Sequence, residues 1–461
     1  MTGNLLGFFI FWGIWLLVPL MIDGTTAISY FIGAWKYERS HRRKRAAFQL
    51  ESFPSVAVIV PVFNGESYLA NCLAALRAQT YPLDKLHVVV VDNHSTDATR
   101  EVFHVEQAKP FDGRMELISL AFRGKAWALN AGIYMADSDF VCNVDSDTLL
   151  REDAIYNMVR AFVMDPKLAA ATGTVEVMRP ARDDIHPLRK AMAEAEFVEY
   201  HVAFRIGRQF QSVTKSLFTL AGAFSFFRKE VLLQTSLYSN TTVAEDTNLT
   251  FEVYQNFPGM HVLTVAEAVA YVEPAPDLGS LYSQRVRWQR GELEVMSLYP
   301  QYLRRNPFKL SGVSTVKSLL IDHTLAFPRV VWTFLFPMMF FMGYPLSLVF
   351  SAMVAMYVAY VAIDALYMIV GFVLSEGESR RRMRGAWWVF AILPIFRYMT
   401  FWFRFGGFLE VLMEPPQWRV RNPWMQTLEG LLQLRGSVFA LFTHLSHTRL
   451  VATLTHMLKG G

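Results

Sequence analysis

The chain has 461 residues, 53% of them hydrophobic and 18% charged, with a formal net charge of +4. That length has room for more than one compact unit, and the charge concentrates between Lys36 and Arg305, which leaves long apolar stretches near both ends. The pattern excludes a uniformly soluble chain and points to a membrane protein with one soluble domain, while two cysteines, Cys72 and Cys142, are too few for a disulfide framework.

Residues 1–22 carry no charged side chain, and only Asp23 interrupts the uncharged run to Trp35. A spanning helix needs about 20 residues, so 1–35 is expected to be a transmembrane anchor. No basic residue precedes it, whereas Lys36, Arg39, Arg42, Arg43, Lys44 and Arg45 follow closely. This argues against a cleaved signal peptide and places residue 36 onward in the cytoplasm. Read alone, the basic linker at 36–50 is also a nucleic-acid patch. Its place beside an apolar span favours anionic lipid, and no nucleic-acid partner is expected.

From Val56, short β-rich runs alternate with helical stretches, which predicts an α/β fold with a mostly parallel sheet across a soluble domain at 51–300. The expected strands are Val56–Val60, Leu86–Val91, Met115–Ser119, Phe140–Val144 and Ala169–Val175, with helices over Ser67–Gln79 and Ala126–Met135. Ligands collect beyond the carboxyl ends of such strands. Asn64 with Glu66, Asp92, and the pair Asp145 and Asp147 fall there. The first strand runs on into Pro61-Val62-Phe63-Asn64-Gly65-Glu66, which supports neither a P-loop nor a dinucleotide fingerprint.

Asp145 and Asp147 are spaced i and i+2, so an extended strand projects both to one side. Paired carboxylates offer hard oxygens suited to Mg²⁺ or Mn²⁺, an ion that commonly bridges substrate phosphates. A nucleoside diphosphate is therefore the first ligand expected. The same Asp-Ser-Asp turn also serves as an Asx turn or helix cap, although adjacent carboxylates repel one another without a cation.

Pro61-Val62-Phe63-Asn64, Val91-Asp92, Gly124-Lys125, Asp145-Ser146-Asp147, Ala244-Glu245-Asp246 and Gln284-Arg285-Val286-Arg287-Trp288 occur in this order across about residues 55–300. The ordered set resembles the membrane-embedded family 2 glycosyltransferases, which include cellulose, hyaluronan, chitin and poly-N-acetylglucosamine synthases. The resemblance implies a cytoplasmic GT-A type domain that transfers sugar from a UDP-sugar with inversion. It places Pro61, Asn64, Glu66, Asp92, Lys125, Asp145 and Arg287 on the donor, with Asp92 at the uracil, and Asp145 and Asp147 on the metal. Asp246 is implied as general base with Glu245 positioning the site. Gln284, Arg287 and Trp288 form the Gln-x-x-Arg-Trp element that marks polymer-forming members.

Two departures concern the acceptor: Ala244 stands where the family often has Thr, and the acceptor-side loop, commonly carrying Cys or Ser, reads Leu220–Arg228. Plainer readings stand beside these roles. Lys125 is also a solvated residue starting a helix, and Ala244–Thr247 also opens a helix through Asn248–Gln255, where acidic residues are favoured. Arg285 or Arg290 is expected in a basic strip that lays an amphipathic helix on the membrane.

Beyond a connector at 301–324, Leu325–Phe350 and Ser351–Leu374 are two expected transmembrane helices within 325–375. The basic segment 376–385 is expected as a cytoplasmic loop. Ala386–Met413 is a third transmembrane or an interfacial helix, with Arg397, Phe401 and Arg404 on one face, and 414–461 is a tail. One apolar segment before the domain and three after it resemble chitin-oligosaccharide and poly-N-acetylglucosamine synthases, which makes UDP-N-acetylglucosamine the expected donor and UDP-glucose its rival. The full expectation is a multi-pass plasma-membrane enzyme that extends an exported β-linked glycan, with accessory export subunits as partners. Two alternatives stay open: single-sugar transfer to a membrane lipid acceptor, and a non-catalytic export or scaffold subunit.

Overall fold

The structure is a computed structural model that describes residues 21, 24–180, 186–305, 311–314 and 326–413. Eight strands, β1 (Val56–Val62), β2 (Leu86–Asp92), β3 (Arg114–Ser119), β4 (Phe140–Val144), β5 (Leu149–Leu150), β6 (Leu168–Val177), β7 (Phe224–Arg228) and β8 (His261–Val272), form one sheet. Their order across it is β3-β2-β1-β4-β7-β6-β8-β5.

β1 reads as a continuous apolar run because both of its faces are covered. Val56, Val58, Val60 and Val62 pack with Leu69, Cys72, Leu73 and Leu76 of the Leu69–Arg77 helix. Ala57 and Ile59 pack with Ala126, Leu129 and Ile133 of the Lys125–Met135 helix on the other side. A proline inside this central strand is accommodated by position. Val62 O accepts from Asn93 N–H, so Pro61 N faces the opposite edge, past Ile59↔Asn143, the last β4 pairing.

The sheet is mostly parallel, as expected, but it is mixed. β1–β2, β1–β4, β2–β3 and β6–β8 are parallel, but β4–β7, β6–β7 and β5–β8 are antiparallel. The mixture arises where a loop was expected: Phe224–Arg228 is a strand wedged between β4 and β6. Phe140, Phe162 and Phe226 fill the space beside it, with ring centres 5.0–5.4 Å apart.

A second apolar core joins the sheet to the flanking helices. It contains Tyr30 from a helical stretch over 24–37, Phe197 of the Pro187–Tyr200 helix, Ile206, Tyr367 and Phe396. Tyr37 OH donates to Thr264 O at 2.7 Å and accepts from Ala266 N–H, which pins the first helix to β8. Of the expected anchor, residues 1–20, 22 and 23 lie outside the described residues, as does the 414–461 tail.

Among the described residues, one helix, Leu346–Leu374, is long and apolar enough to cross a membrane, and only 22% of its most apolar window is buried. The preceding helix, Ala326–Phe341, has 16 residues and ends at a turn over 342–345, so the break falls earlier than the expected 350/351 boundary. Gly343 takes the left-handed conformation there, at φ 87°. The basic segment expected as a loop contains the helix Gly377–Gly385, and Arg382 turns inward, over the Phe197 ring and 3.2 Å from Glu194. The third expected segment is a short 3₁₀ turn, Trp387–Ala391, followed by the helix Leu393–Met413. Arg397 on that helix pairs with buried Asp364 of Leu346–Leu374 at 2.6 Å.

Candidate active site

Because β7 runs antiparallel to β4, the loop that feeds β7 arrives at the carboxyl end of β4, where Val144 pairs with Phe224. Four hydrogen bonds fix that loop. Asn143 Nδ2 donates to Gly222 O, Asp145 N–H to Ala223 O, Leu220 N–H to Thr250 Oγ1 and Ala221 N–H to Thr172 Oγ1. Gly222 becomes the floor of a charged site. A Cβ there would stand 3.3 Å from Asp246 Oδ2, 3.4 Å from Lys125 Nζ and 3.9 Å from Asp145 Oδ2.

Lys125 opens its helix after Gly124, whose N–H is held by Asn93 Oδ1 at 2.7 Å. Its Nζ lies 2.8 Å from Asp145 Oδ1 and 3.5 Å from Glu245 Oε1. Burial opposes the ammonium charge, but Asp145 and then Glu245 outweigh it and hold Lys125 well above its ordinary value. Glu245 and Asp246 start the Glu245–Asn256 helix, so the helix reading and the site position coincide. Asp246 Oδ1 accepts from Thr247 N–H at 2.7 Å, which turns Oδ2 to the Gly222 side. Burial raises both carboxyls, with Lys125 opposing. Asp147 opens onto the cleft, yet the surrounding walls, then the Asp145 charge, push its carboxyl up to about 6.

The fourth wall is the Leu278–Leu298 helix, which starts on Asp277 as its cap, Oδ1 accepting from Ser280 N–H. It approaches without side-chain clearance at one point: a Cβ on Gly291 would stand 2.5 Å from Ala244 Cβ. The small residue at 244, where the resemblance suggests Thr, matches that contact. The cleft that results, about 1160 Å³, is lined by Lys125, Asp145, Asp147, Glu245, Asp246, Gln284, Arg287 and Trp288. Burial lowers the Arg287 guanidinium and the Glu245 charge opposes this. Gln284 Oε1 is buried without a hydrogen-bond partner.

Pro61, Asn64, Glu66 and Asp92 stand outside this lining, at the carboxyl ends of β1 and β2. Asp92 is 0% exposed, taking Ser95 N–H on Oδ1 and Arg100 Nε on Oδ2. Asn64 and Glu66 accept from Thr96 N–H and Ala98 N–H, so they stitch the loops after β1 and β2 together.

The expected surface strip is overturned. Arg285 and Arg290 are both buried, Arg285 on Glu199 at 2.5 Å, Arg290 on Glu294 at 2.8 Å and Glu410 at 3.5 Å. Sequence reasoning could not find Glu199 or Glu410, which lie far away along the chain; only Glu294, four residues from Arg290 on the same helix, is local. The same reasoning passed over Arg208, Tyr200 and Phe204, and took Gly222 only as part of the Leu220–Arg228 loop; all four line the cleft. Only Gly222 carried a signal, as a glycine within a run of small residues ahead of an aromatic strand.

Among the described residues, no group of three or more His, Cys, Asp or Glu side chains gathers into a metal cage. Two carboxylates on one cleft wall nevertheless fit an ion that takes its remaining ligands from phosphate and water, as Mg²⁺ and Mn²⁺ do.

Residues 54–291, just over half of the chain, match the family model described as glycosyltransferase like family 2. The chain belongs to glycosyltransferase family 2. Within the family it is similar to poly-β-1,6-N-acetyl-D-glucosamine synthase of Staphylococcus aureus strain COL, 24% identical over 254 residues, 55% of this chain and 58% of that one. The Staphylococcus epidermidis synthase of the same name is 24% identical over 267 residues, 58% of this chain and 61% of that one. The matched part thus spans about three fifths of these relatives. A solved mannosyltransferase of Pyrobaculum calidifontis, in complex with GDP-Man and Mn²⁺, superimposes with a TM-score of 0.51 at 18% identity, covering 87% of this chain and 99% of that one. That likeness establishes a GT-A-like mixed α/β fold.

Proposed function

We propose that this family 2 glycosyltransferase moves N-acetylglucosamine from UDP-N-acetylglucosamine to the end of a growing β-linked glycan, with inversion, at the cytoplasmic face of the plasma membrane. The observation that carries the reading is the convergence of Lys125, Asp145 and Asp246 over Gly222, with Gln284, Arg287 and Trp288 across the same cleft. The donor sugar follows the names of the Staphylococcus synthases.

Asp145 and Asp147 would hold Mg²⁺ or Mn²⁺, which when bound stabilises the negative charge of the departing diphosphate as a Lewis acid. Lys125 and Arg287 add cationic groups on the donor side, and the Arg287 fork suits phosphate oxygens. Asp92, Asn64, Glu66 and Pro61 border the nucleoside end. Asp246 Oδ2 takes the acceptor hydroxyl proton as that oxygen attacks the anomeric carbon, and a carboxyl raised by burial is a stronger base than an exposed one. Glu245 keeps Lys125 between the two carboxylate pairs. Trp288 gives the acceptor ring a flat apolar face, and Gln284 Oε1 is poised to accept from a sugar hydroxyl.

Membrane residence is supported by the outward apolar face of Leu346–Leu374, where Phe350, Met353, Val358 and Ile369 are exposed. Exposed Arg39, Arg43, Lys44, Arg381 and Arg384 fit an anionic cytoplasmic leaflet. Arg404 of the Leu393–Met413 helix lines the same cleft as Trp288, which favours an acceptor that runs toward the membrane helices and onward to export subunits. The test is to offer purified protein in detergent a panel of UDP-sugars with Mg²⁺ or Mn²⁺, measuring UDP release and product size. UDP-N-acetylglucosamine should give a ladder of oligomers. A single lipid-linked product would replace the polymer reading, and no UDP release from any donor would end the enzyme reading.

A further inference from the structure

Trp288 is 37% exposed, while the guanidinium beside it is wholly buried. Arg285 Cζ lies 4.3 Å from the centre of the Trp288 ring, so it covers the indole from the protein side. Its Nη2 donates to Glu199 Oε2 at 2.5 Å. The other oxygen, Glu199 Oε1, is 3.8 Å from Arg404 Nη2 on the Leu393–Met413 helix. Tyr200 and Phe204 flank the indole at 5.9 Å and 5.6 Å between ring centres, Phe204 edge-on at 80°.

A guanidinium keeps its charge when removed from water and so needs a carboxylate to offset the cost of burial; Glu199, the nearest one, anchors Arg285. A cation over an indole face is in turn attracted to it, more strongly where water is excluded. Glu199 therefore acts on Trp288 at one remove. Helix packing closes the arrangement: a Cβ on Gly407 would stand 2.8 Å from Val286 O, and one on Gly406 3.1 Å from Tyr282 OH. The helix that carries Arg404 thus runs against the helix that carries Trp288.

We propose that Glu199 is a positioning residue for the acceptor: through Arg285 it holds the Trp288 ring in the cleft wall, and through Arg404 it ties that platform to the Leu393–Met413 helix. The inference rests on the reading of Trp288 as the acceptor's platform.

The experiment uses the full chain in detergent with UDP-N-acetylglucosamine, Mn²⁺ and an added N-acetylglucosamine oligosaccharide. It records acceptor KM, donor KM, product length and the ratio of transfer to hydrolysis. Glu199→Gln and Arg285→Met are each expected to raise acceptor KM about tenfold, the scale of a desolvated cation–π contact, and to shorten the product. Donor KM should move less than about twofold, since a role confined to the acceptor leaves ground-state donor binding alone. The double variant should be no worse than the worse single variant, because both changes break one chain of contacts. Glu199→Asp, which keeps the charge, should recover part of the loss. Wild-type acceptor KM and product length in Glu199→Gln would overturn the proposal, as would equal losses in transfer and hydrolysis with a raised donor KM. If Glu199→Gln does not fold, Arg404→Gln at the outer end of the chain of contacts is expected to raise acceptor KM about threefold, and an unchanged value there also overturns it. Failure of the wild-type protein to use any UDP-sugar would fault the functional reading instead.

Discussion

Lys125 Nζ stands 2.8 Å from Asp145 Oδ1 and 3.5 Å from Glu245 Oε1, so one ammonium joins the end of β4 to the start of the Glu245–Asn256 helix. A cation at Asp145 has to share that carboxylate with Lys125. Asp147 carries no such ion pair among the described residues, and burial, then the Asp145 charge, raise its carboxyl.

On the proposed metal role, replacing either carboxylate should weaken cation binding. Asp145→Asn and Asp147→Asn are each expected to reduce Mn²⁺ affinity more than about tenfold, because each removes an anionic oxygen with little change of shape. Titration followed by electron paramagnetic resonance reads this directly. Unchanged Mn²⁺ affinity in both variants would remove the carboxylate pair from the metal.

Asp246→Asn is expected to cut turnover by about 10²–10⁴ while donor binding stays within a few-fold, since it removes proton acceptance and keeps volume. Glu245→Gln should be milder. Lost donor binding with normal turnover at saturation would move Asp246 from the acceptor to the donor.

Gly222→Ala tests the floor of the site. Its backbone is outside the left-handed region, so alanine is tolerated conformationally, but the new methyl meets Asp246 Oδ2 and Lys125 Nζ at 3.3–3.4 Å. Turnover should fall more than about tenfold, one missed 1.4 kcal/mol at the barrier, while the melting temperature shifts by less than about 4 °C. Wild-type turnover would show that the charged groups need not converge over this residue.

How far these features could be read in advance depended on whether their cause was local. β1, β2 and β4 are apolar runs buried on both faces, and burial of that kind writes itself into consecutive residues. β7 is five residues long, follows a small-residue loop and owes its strand state to β4 and β6 on either side, neither of which its own sequence announces. Arg285 fails for the same reason: a guanidinium reads as a surface group until a carboxylate 86 positions away is found against it. Lys125, Asp145 and Asp246 could be singled out as charged groups at element ends. Their convergence over one glycine is a property of how the sheet and its helices are assembled.

The acid limb of stability should carry the signature of Glu176. This buried residue of β6 accepts from Ser379 Oγ at 2.8–2.9 Å and lies 3.4 Å from Arg205 Nη1 and 3.7 Å from His201 Nδ1. Burial alone would raise its carboxyl, but the nearby His201 and Arg205 charges, with the Ser379 hydrogen bond, bring it down to about 2. The folded state then binds fewer protons than the unfolded one. The stabilisation is complete above pH 4.5 and is lost as pH falls toward 2, about 3 kcal/mol in all. Denaturant midpoints in detergent should show wild type and Glu176→Gln converging over that window. A gap that stays constant with pH would assign the stability of this region elsewhere.

The place of β7 also bears on how the chain is made. β4 is complete at Val144 and β6 at Val177, yet the strand that lies between them begins at Phe224. Phe224 lies 80 positions after Val144, which at about 5–20 residues per second leaves the apolar edge of β4 unpaired on the ribosome for roughly 4–16 s. An open, buried-type edge is the surface most prone to pair with a neighbouring chain. Five residues, Phe224-Ser225-Phe226-Phe227-Arg228, end that exposure when they enter. The step that lets the nascent protein escape aggregation is thus the same one that seats the loop beneath Lys125 and Asp246.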